Sequence, residues 1–241
     1  MKRAYYIFAY YLSFLVFGLV GLSLNIVCAL LLPLPGRAHL SQGVRHVIRW
    51  LFDLWSKWLN ACGVVRVSYH GFDGPIPGGV VLVGNHPSLI DAPVLLARMP
   101  DATCIFKPQL MRNPVLGPAA IMAGYTSGGE GLDTIRAVAD KVAAGRSLLI
   151  FPEGTRTAVG ETLGPLKAGF ALIAARGRAP VQLVIIRSTP GLVARGKPWW
   201  KYPDTLPAFL SVTLDRCWTH EPDRHATELM ASIEARIREV L

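Results

Sequence analysis

The chain has 241 residues, 51% hydrophobic and 17% charged, and its 25 Lys and Arg against 16 Asp and Glu give a formal net charge of +9. That apolar share excludes a disordered chain and is enough for one sizeable domain with an appendage. The basic residues are scattered and no nucleic-acid reading motif accompanies them, which excludes a nucleic-acid-binding module and leaves anionic lipid surfaces or an acidic carrier as charged partners.

From Ala4 to Gly36 there is no charged residue. A run of about 30 apolar and small residues exceeds the roughly 20 that cross a bilayer, and it is too long for the core of a signal peptide. We expect a retained, membrane-embedded helix. At about 1.5 Å per residue it outruns a hydrocarbon core of about 30 Å, so it must tilt, bend or lie partly in the interface. Pro33 and Pro35 end it.

Next comes an amphipathic pattern, with Ser41 as a cap and Gly63 as a stop. Val44, Ile48, Leu51, Phe52, Trp55, Trp58 and Leu59 form the apolar face, and Arg45, Arg49, Asp53, Lys57 and Asn60 the polar one. The helix fits either the membrane surface or a place on the soluble core. Its three Trp residues, with Arg and Lys opposite, suit the headgroup boundary. Basic residues flank the long apolar run: Lys2 and Arg3 before it, Arg37, Arg45 and Arg49 after it. The excess after the run predicts a cytoplasmic membrane location with the main domain in the cytoplasm. The expected division is residues 1–62, a membrane-associated two-helix segment, and residues 63–241, an α/β domain.

After Gly63, short apolar strands alternate with helical stretches: "VVRVSYHG", "GGVVLVGN", "ATCIFK", "SLLIFPEG", "APVQLVIIRS" and "LPAFLSVTLD" as strands; "PVLLARM", "DTIRAVADKVAAG", "LKAGFALIAARG" and the last twenty residues as helices. This predicts an α/β fold with a largely parallel central sheet covered by helices on both faces. In such sheets working groups collect at the carboxyl ends of strands. Cys28, Cys62, Cys104 and Cys217 lie far apart and match no metal spacing, so they read as reduced thiols.

The strand "VVLVG" runs out at Asn85, His86 and Pro87. Pro87 and Ser88 suit a helix start, which places Asp91 about one turn into that helix. Asp91 can then fold back onto one imidazole nitrogen of His86 and leave the other as a base. A positioned base of this kind contributes about 10²–10⁴-fold to proton transfer. Alone, the pair fits a helix-start hydrogen bond equally well. One His and one Asp are too few for a metal site, so no metal is expected. A second strand end, "LLIFPEGTRT", carries Glu153, Gly154, Thr155 and Arg156. A carboxylate, a glycine that exposes backbone N–H and a guanidinium shaped for phosphate oxygens there turn two accidents into one site.

"NHPSLID" and "FPEGTRT", in that order, resemble the first and third blocks of the glycerolipid acyltransferase family, whose bacterial members include 1-acyl-glycerol-3-phosphate acyltransferases. The similarity runs from about Gly63 to Ser188, and the helical pair before it resembles the family's two-helix membrane motif. The resemblance implies a glycerol-3-phosphate acyltransferase-like fold and transfer of an acyl group from acyl-CoA or acyl carrier protein to a lyso-lipid hydroxyl. It makes His86 the general base and Asp91 its orienting carboxylate. It assigns Glu153, Gly154, Thr155 and Arg156 to the acceptor-binding floor, with Arg156 on a phosphate. No cofactor is implied beyond the thioester substrate. Lys107, Leu110, Pro114, Gly117 and Gly124 match the second block. That block usually continues to an arginine, whereas here Gly124 leads through Tyr125, Thr126, Ser127, Gly128 and Gly129 to Glu130. The fourth block keeps Pro180 but has Leu183 where a second proline is usual. Lys107, the better match, and Arg112 are the cations left to replace the missing one, and a different lyso-lipid or hydroxylated lipid becomes a second candidate acceptor. A lipid hydrolase and a non-catalytic membrane adaptor are the remaining readings.

Overall fold

The computed structural model describes residues 2–73, 76–128, 131–198 and 200–241. Helix α1 spans Lys2–Leu31, and the stretch holding Pro33 and Pro35 ends it. A 3-10 turn, Arg37–Leu40, leads into α2, Ser41–Ala61. Ser41, expected as the cap, is instead the first helical residue, because the 3-10 turn already supplies the helical backbone before it. Its Oγ accepts a hydrogen bond from Arg45 Nη1 at 2.6 Å.

The strands are β1 (Val65–His70), β2 (Val81–Gly84), β3 (Ala102–Phe106), β4 (Thr126–Ser127), β5 (Ser147–Ile150), β6 (Val181–Ser188) and β7 (Ala208–Trp218). They form one sheet in the order β1-β7-β6-β2-β5-β3-β4. All described pairs are parallel except β6–β7, so the sheet is largely parallel as expected. The connecting helices are α3 (Asp91–Leu96), α4 (Pro108–Met111), α5 (Gly117–Met122), α6 (Leu132–Ala143), α7 (Gly169–Gly177) and α8 (Ala226–Val240).

Strand side chains alternate between faces, and both faces are covered. Leu82, Leu149, Val184, Ile186 and Leu210 share one core layer with Tyr10 of α1, Trp55 and Leu59 of α2 and Leu95 of α3. Val81, Val83, Leu148, Leu183 and Ile185 share the other with Val138 of α6, Phe170 and Ile173 of α7 and Ile233 of α8. The N-terminal hairpin therefore belongs to the same core as the sheet it precedes.

Helix α1 is long and apolar enough to cross a membrane by length and composition. It buries only a narrow stripe: Ala9, Tyr10, Ser13, Asn25 and Cys28. The stripe is stitched to its neighbours along most of the helix. Trp55 Nε1 donates to the Ser13 carbonyl at 3.2 Å, and the Ala119 amide of α5 donates to Asn25 Oδ1 at 3.0 Å. Tyr5, Phe8, Leu15, Leu19, Ile26 and Leu30 face outward. Helix α2 packs on the core through one apolar side and leaves a second one exposed. Ile48, Trp55 and Leu59 pack on the core, while Val47, Trp50, Leu54 and Trp58 form an exposed apolar stripe. Trp58 keeps its indole Nε1 on Ser13 Oγ of α1, at 3.0 Å, with the rest of the ring partly exposed. Arg45 leaves the polar face: it is buried, paired with Asp101 and donating to the Ala123 carbonyl at 2.8 Å. A buried guanidinium is tolerated when its donors are used in this way.

Candidate active site

Strands β2 and β5 are neighbours, with Val83 opposite Ile150, so the turns that follow them emerge side by side. Asn85 is buried and fixes the exit of β2. Its Nδ2 donates to the Ile186 carbonyl and its Oδ1 accepts from the Ile186 amide, both at 2.8 Å. The side chain thus mimics one more strand pair with β6 and aims His86 off the sheet edge.

The turn after His86 folds differently from expectation. The helix begins at Asp91, not at Pro87 or Ser88. Residues 88–90 form a turn held by Asp91 Oδ2, which accepts from the Ser88 amide at 2.7 Å and lies 2.9 Å from His86 Nδ1. The pairing inferred from the spacing is therefore present, made by a carboxylate at the first helical position. Asp91 is fully buried, while the His86 side chain keeps 15% exposure. Burial pushes the Asp91 carboxyl above its ordinary range, opposed by the hydrogen bond and charge of His86 and by the Ser88 amide. Its Oδ1 is buried without a hydrogen-bond partner among the described residues. The ring is clamped from its flat side by Phe151, with centroids 4.0 Å apart and planes 10° from parallel. His86 Nε2 makes no hydrogen bond among the described residues.

The second motif supports the first directly. Glu153 is buried, and its carboxylate accepts from the His86 amide (3.0 Å), from Thr157 Oγ1 (3.0 and 2.9 Å) and from the Gly164 amide (2.9 Å). Both oxygens of Glu153, a residue expected in the acceptor-binding floor, serve protein donors. The Thr157 amide closes the loop by donating to the His86 carbonyl at 2.8 Å. Gly154 adopts a left-handed backbone, φ 67°, and Thr155 beside it is exposed.

Arg156 reaches a third loop, the one after β6. Its Nη1 donates to the carbonyls of Val193 (2.7 Å) and Ala194 (3.1 Å). Val193 carries φ 43°, a costly conformation for a β-branched residue. The Leu89 amide also donates to its carbonyl, at 3.3 Å. The remaining guanidinium nitrogens of Arg156 make no hydrogen bond among the described residues. Lys107 is exposed at the end of β3, one strand beyond β5, and precedes α4. Gly129 and Glu130, at the point where the family pattern has its arginine, lie outside the described residues.

Three residues of this site were not singled out by motif reading. Phe151 stacks on His86, Thr157 bridges the two loops, and Asn85 splints β2 to β6. Phe151 and Thr157 flank the PEGTR residues, and Asn85 adjoins His86, so adjacency was the one available signal.

A parallel α/β sheet carrying a His–Asp pair at one strand end, braced by the Pro-Glu-Gly-Thr-Arg loop of the next, defines a group-transfer class. The model of the acyltransferase family matches residues 66–187, and the chain belongs to that family. Among curated proteins it is 28% identical over 204 residues to a 1-acyl-sn-glycerol-3-phosphate acyltransferase of Saccharomyces cerevisiae, covering 78% of this chain and 63% of that one. It is 35% identical over 118 residues to the enzyme of that name from Helicobacter pylori, covering 46% of this chain and 50% of the relative. The chain thus spans less than two thirds of the length of these curated relatives. Its fold matches the crystal structure of the 1-acyl-sn-glycerophosphate acyltransferase PlsC from Thermotoga maritima, with a TM-score of 0.75, 18% identity and coverage of 99% of this chain and 97% of that one.

Proposed function

We propose that this chain transfers a fatty acyl group from acyl-CoA or acyl carrier protein to the free hydroxyl of 1-acyl-glycerol-3-phosphate at the membrane surface. The reading rests chiefly on His86, whose Nδ1 is engaged by Asp91 at 2.9 Å while Nε2 stays open at the carboxyl end of β2. In the reaction, Nε2 takes the acceptor's hydroxyl proton as its oxygen bonds to the thioester carbonyl carbon. The tetrahedral oxyanion then collapses, the C–S bond breaks, and the imidazolium returns its proton to the departing thiolate. Asp91 remains a carboxylate throughout and stabilises the imidazolium. No covalent acyl-enzyme is required.

Arg156 supports the phosphate end of the acceptor. Two carbonyls hold one of its nitrogens, which aims the fork before the ligand arrives. Lys107 is the second cation for that phosphate. Glu153 and Thr157 hold the base and the fork in one frame, and Gly154 and Thr155 form the exposed lip. The outward apolar faces of α1 and α2 support a location of this edge at the headgroups, where the lipid acceptor need not leave the membrane. In this reading the hairpin embeds through the outward residues of α1, and the basic residues that follow it, Arg37, Arg45 and Arg49, favour a domain on the cytoplasmic side of the inner membrane.

A product assay tests the reading. Purified protein receives acyl-CoA or acyl carrier donors with lysophosphatidate or with non-phosphate lyso-lipids. Phosphatidate formation that depends on lysophosphatidate, and is lost in His86→Ala while membrane binding persists, is the expected outcome. Free acid released without an acceptor would assign a hydrolase. A preference for non-phosphate acceptors would overturn the lysophosphatidate assignment.

A further inference from the structure

A second cluster of cations lies at the other end of the sheet. Arg37 from the 3-10 turn, Lys141 from the last turn of α6 and Arg146 just before β5 line an open cavity of about 360 Å³ with Ser41, Ile121 and Met122. Arg146 precedes β5, whereas Glu153 and the base follow β5 and β2. The length of β5, roughly 13 Å for four residues, separates the two sites.

Among the described residues no carboxylate pairs with Arg37, Lys141 or Arg146. Asp101, the acid beside them, is engaged by Arg45. Lys141 donates to the Gly124 carbonyl (2.7 Å) and to Thr126 Oγ1 (2.8 Å), both uncharged. Arg37 donates to the Leu32 carbonyl, and the Arg146 guanidinium makes no hydrogen bond among the described residues. Burial and then the neighbouring guanidiniums of Arg146 and Arg45 push the Lys141 ammonium below its ordinary pKa. Burial and Arg45 do the same to Arg146. Gly124 keeps the cavity open. It holds φ 72°, and a Cβ there would sit 3.0 Å from Ser41 Oγ and 3.4 Å from Arg146 Nη1.

Arg45, Arg146 and Lys141 share one nearby acid, Asp101, so the cluster keeps an excess of positive charge that favours an anion, and its surroundings indicate which one. The cavity lies where α1 ends, beside exposed Leu34 and Leu40, and Ile121 on its wall is 41% exposed. A phosphate on the cations would leave an attached apolar chain against Ile121 and Met122. We propose that Arg37, Lys141 and Arg146 form a non-catalytic site for the phosphate of an anionic membrane lipid. The site anchors the domain at the end of the sheet away from the base, and it does not depend on the acyl-transfer reading.

Flotation of the full chain on phosphatidylcholine vesicles, with and without phosphatidylglycerol, tests it. Arg146→Gln is compared with Arg136→Gln, an exposed arginine of α6 that removes the same charge elsewhere. Arg146→Gln should weaken binding to the anionic vesicles roughly fivefold and leave binding to neutral vesicles intact, with Arg136→Gln nearly unchanged. Transfer activity on detergent-dispersed substrates should be the same in all three proteins. Equal losses in the two variants would overturn the site. A calorimetric titration with inorganic phosphate separates the sources. Phosphate binding abolished by Arg146→Gln, with an unchanged vesicle preference, would overturn the lipid assignment and leave a site for free phosphate.

Discussion

The backbone amide of His86 donates to the side-chain carboxylate of Glu153 across 3.0 Å, joining two motifs 67 residues apart. His86 is thereby referenced to β5 as well as to its own strand. Glu153→Gln replaces one acceptor oxygen with an NH₂ group that must face an N–H or a hydroxyl donor. The expected cost is about 1–3 kcal/mol of stability, the range for a buried unsatisfied group. Because the displaced donor includes His86 itself, kcat should fall by more than acceptor KM rises. Thermal denaturation and steady-state kinetics on one preparation check both.

Asp91→Asn preserves size and removes the charge. A carboxamide offers one oxygen where Oδ2 now accepts from both Ser88 and His86, and it cannot balance an imidazolium. Turnover should drop by about 10²–10⁴-fold with little change in acceptor KM. Turnover in Asp91→Asn equal to the parent's would show that Asp91 only builds the turn.

The stripe on α2 gives a prediction about location rather than chemistry. Trp50 and Leu54 are 60% and 50% exposed, so Trp50→Ser with Leu54→Ser should leave Tm nearly unchanged. If the stripe enters the bilayer, each loss weakens vesicle binding by about 1.5–3 kcal/mol, the transfer term for a large apolar side chain. Sedimentation with liposomes measures it.

At the far end of the fold, Arg236 of α8 forks onto Asp215 of β7, with both hydrogen bonds at 2.8 Å. The fork holds the Asp215 carboxyl below its ordinary value of 3.8. A lowered carboxyl pKa contributes stability at higher pH that is lost as pH falls through the folded-state value. The Tm of Asp215→Asn should therefore trail the parent by a few degrees at pH 7, and the gap should close as pH falls below the ordinary carboxyl value and the parent loses the pair. A gap that persists in acid would assign the loss to packing instead.

How far the chain could be read depended on the reach of each interaction. His86 and Asp91 were legible because five residues separate them and the strand before them is uniformly apolar. The alternating body was legible for the same local reason, down to the β7 and α8 segments. The hydrogen bonds of Glu153 were not legible because its partners, the His86 and Gly164 amides, are not encoded near it. Arg45 was assigned to water because periodicity sees charge but not Asp101, which sits 56 residues away. The stripe from Val47 to Trp58 defeats a two-faced reading: this helix has two apolar sides, one for protein and one turned outward. The short α4 and α5 and the two-residue β4 carry too few residues to show any period.

The burial of Ala9 and Tyr10 of α1, at 3% and 1% exposure, in the layer that also holds Leu82 and Val184 has a practical side. Deleting the first helix to obtain a water-soluble form would unroof that layer, and the remainder would aggregate through the exposed surface. A detergent-free version has to be made by repainting the outward residues of α1, such as Phe8, Leu15, Leu19 and Leu30, with polar side chains while its inward stripe stays as it is.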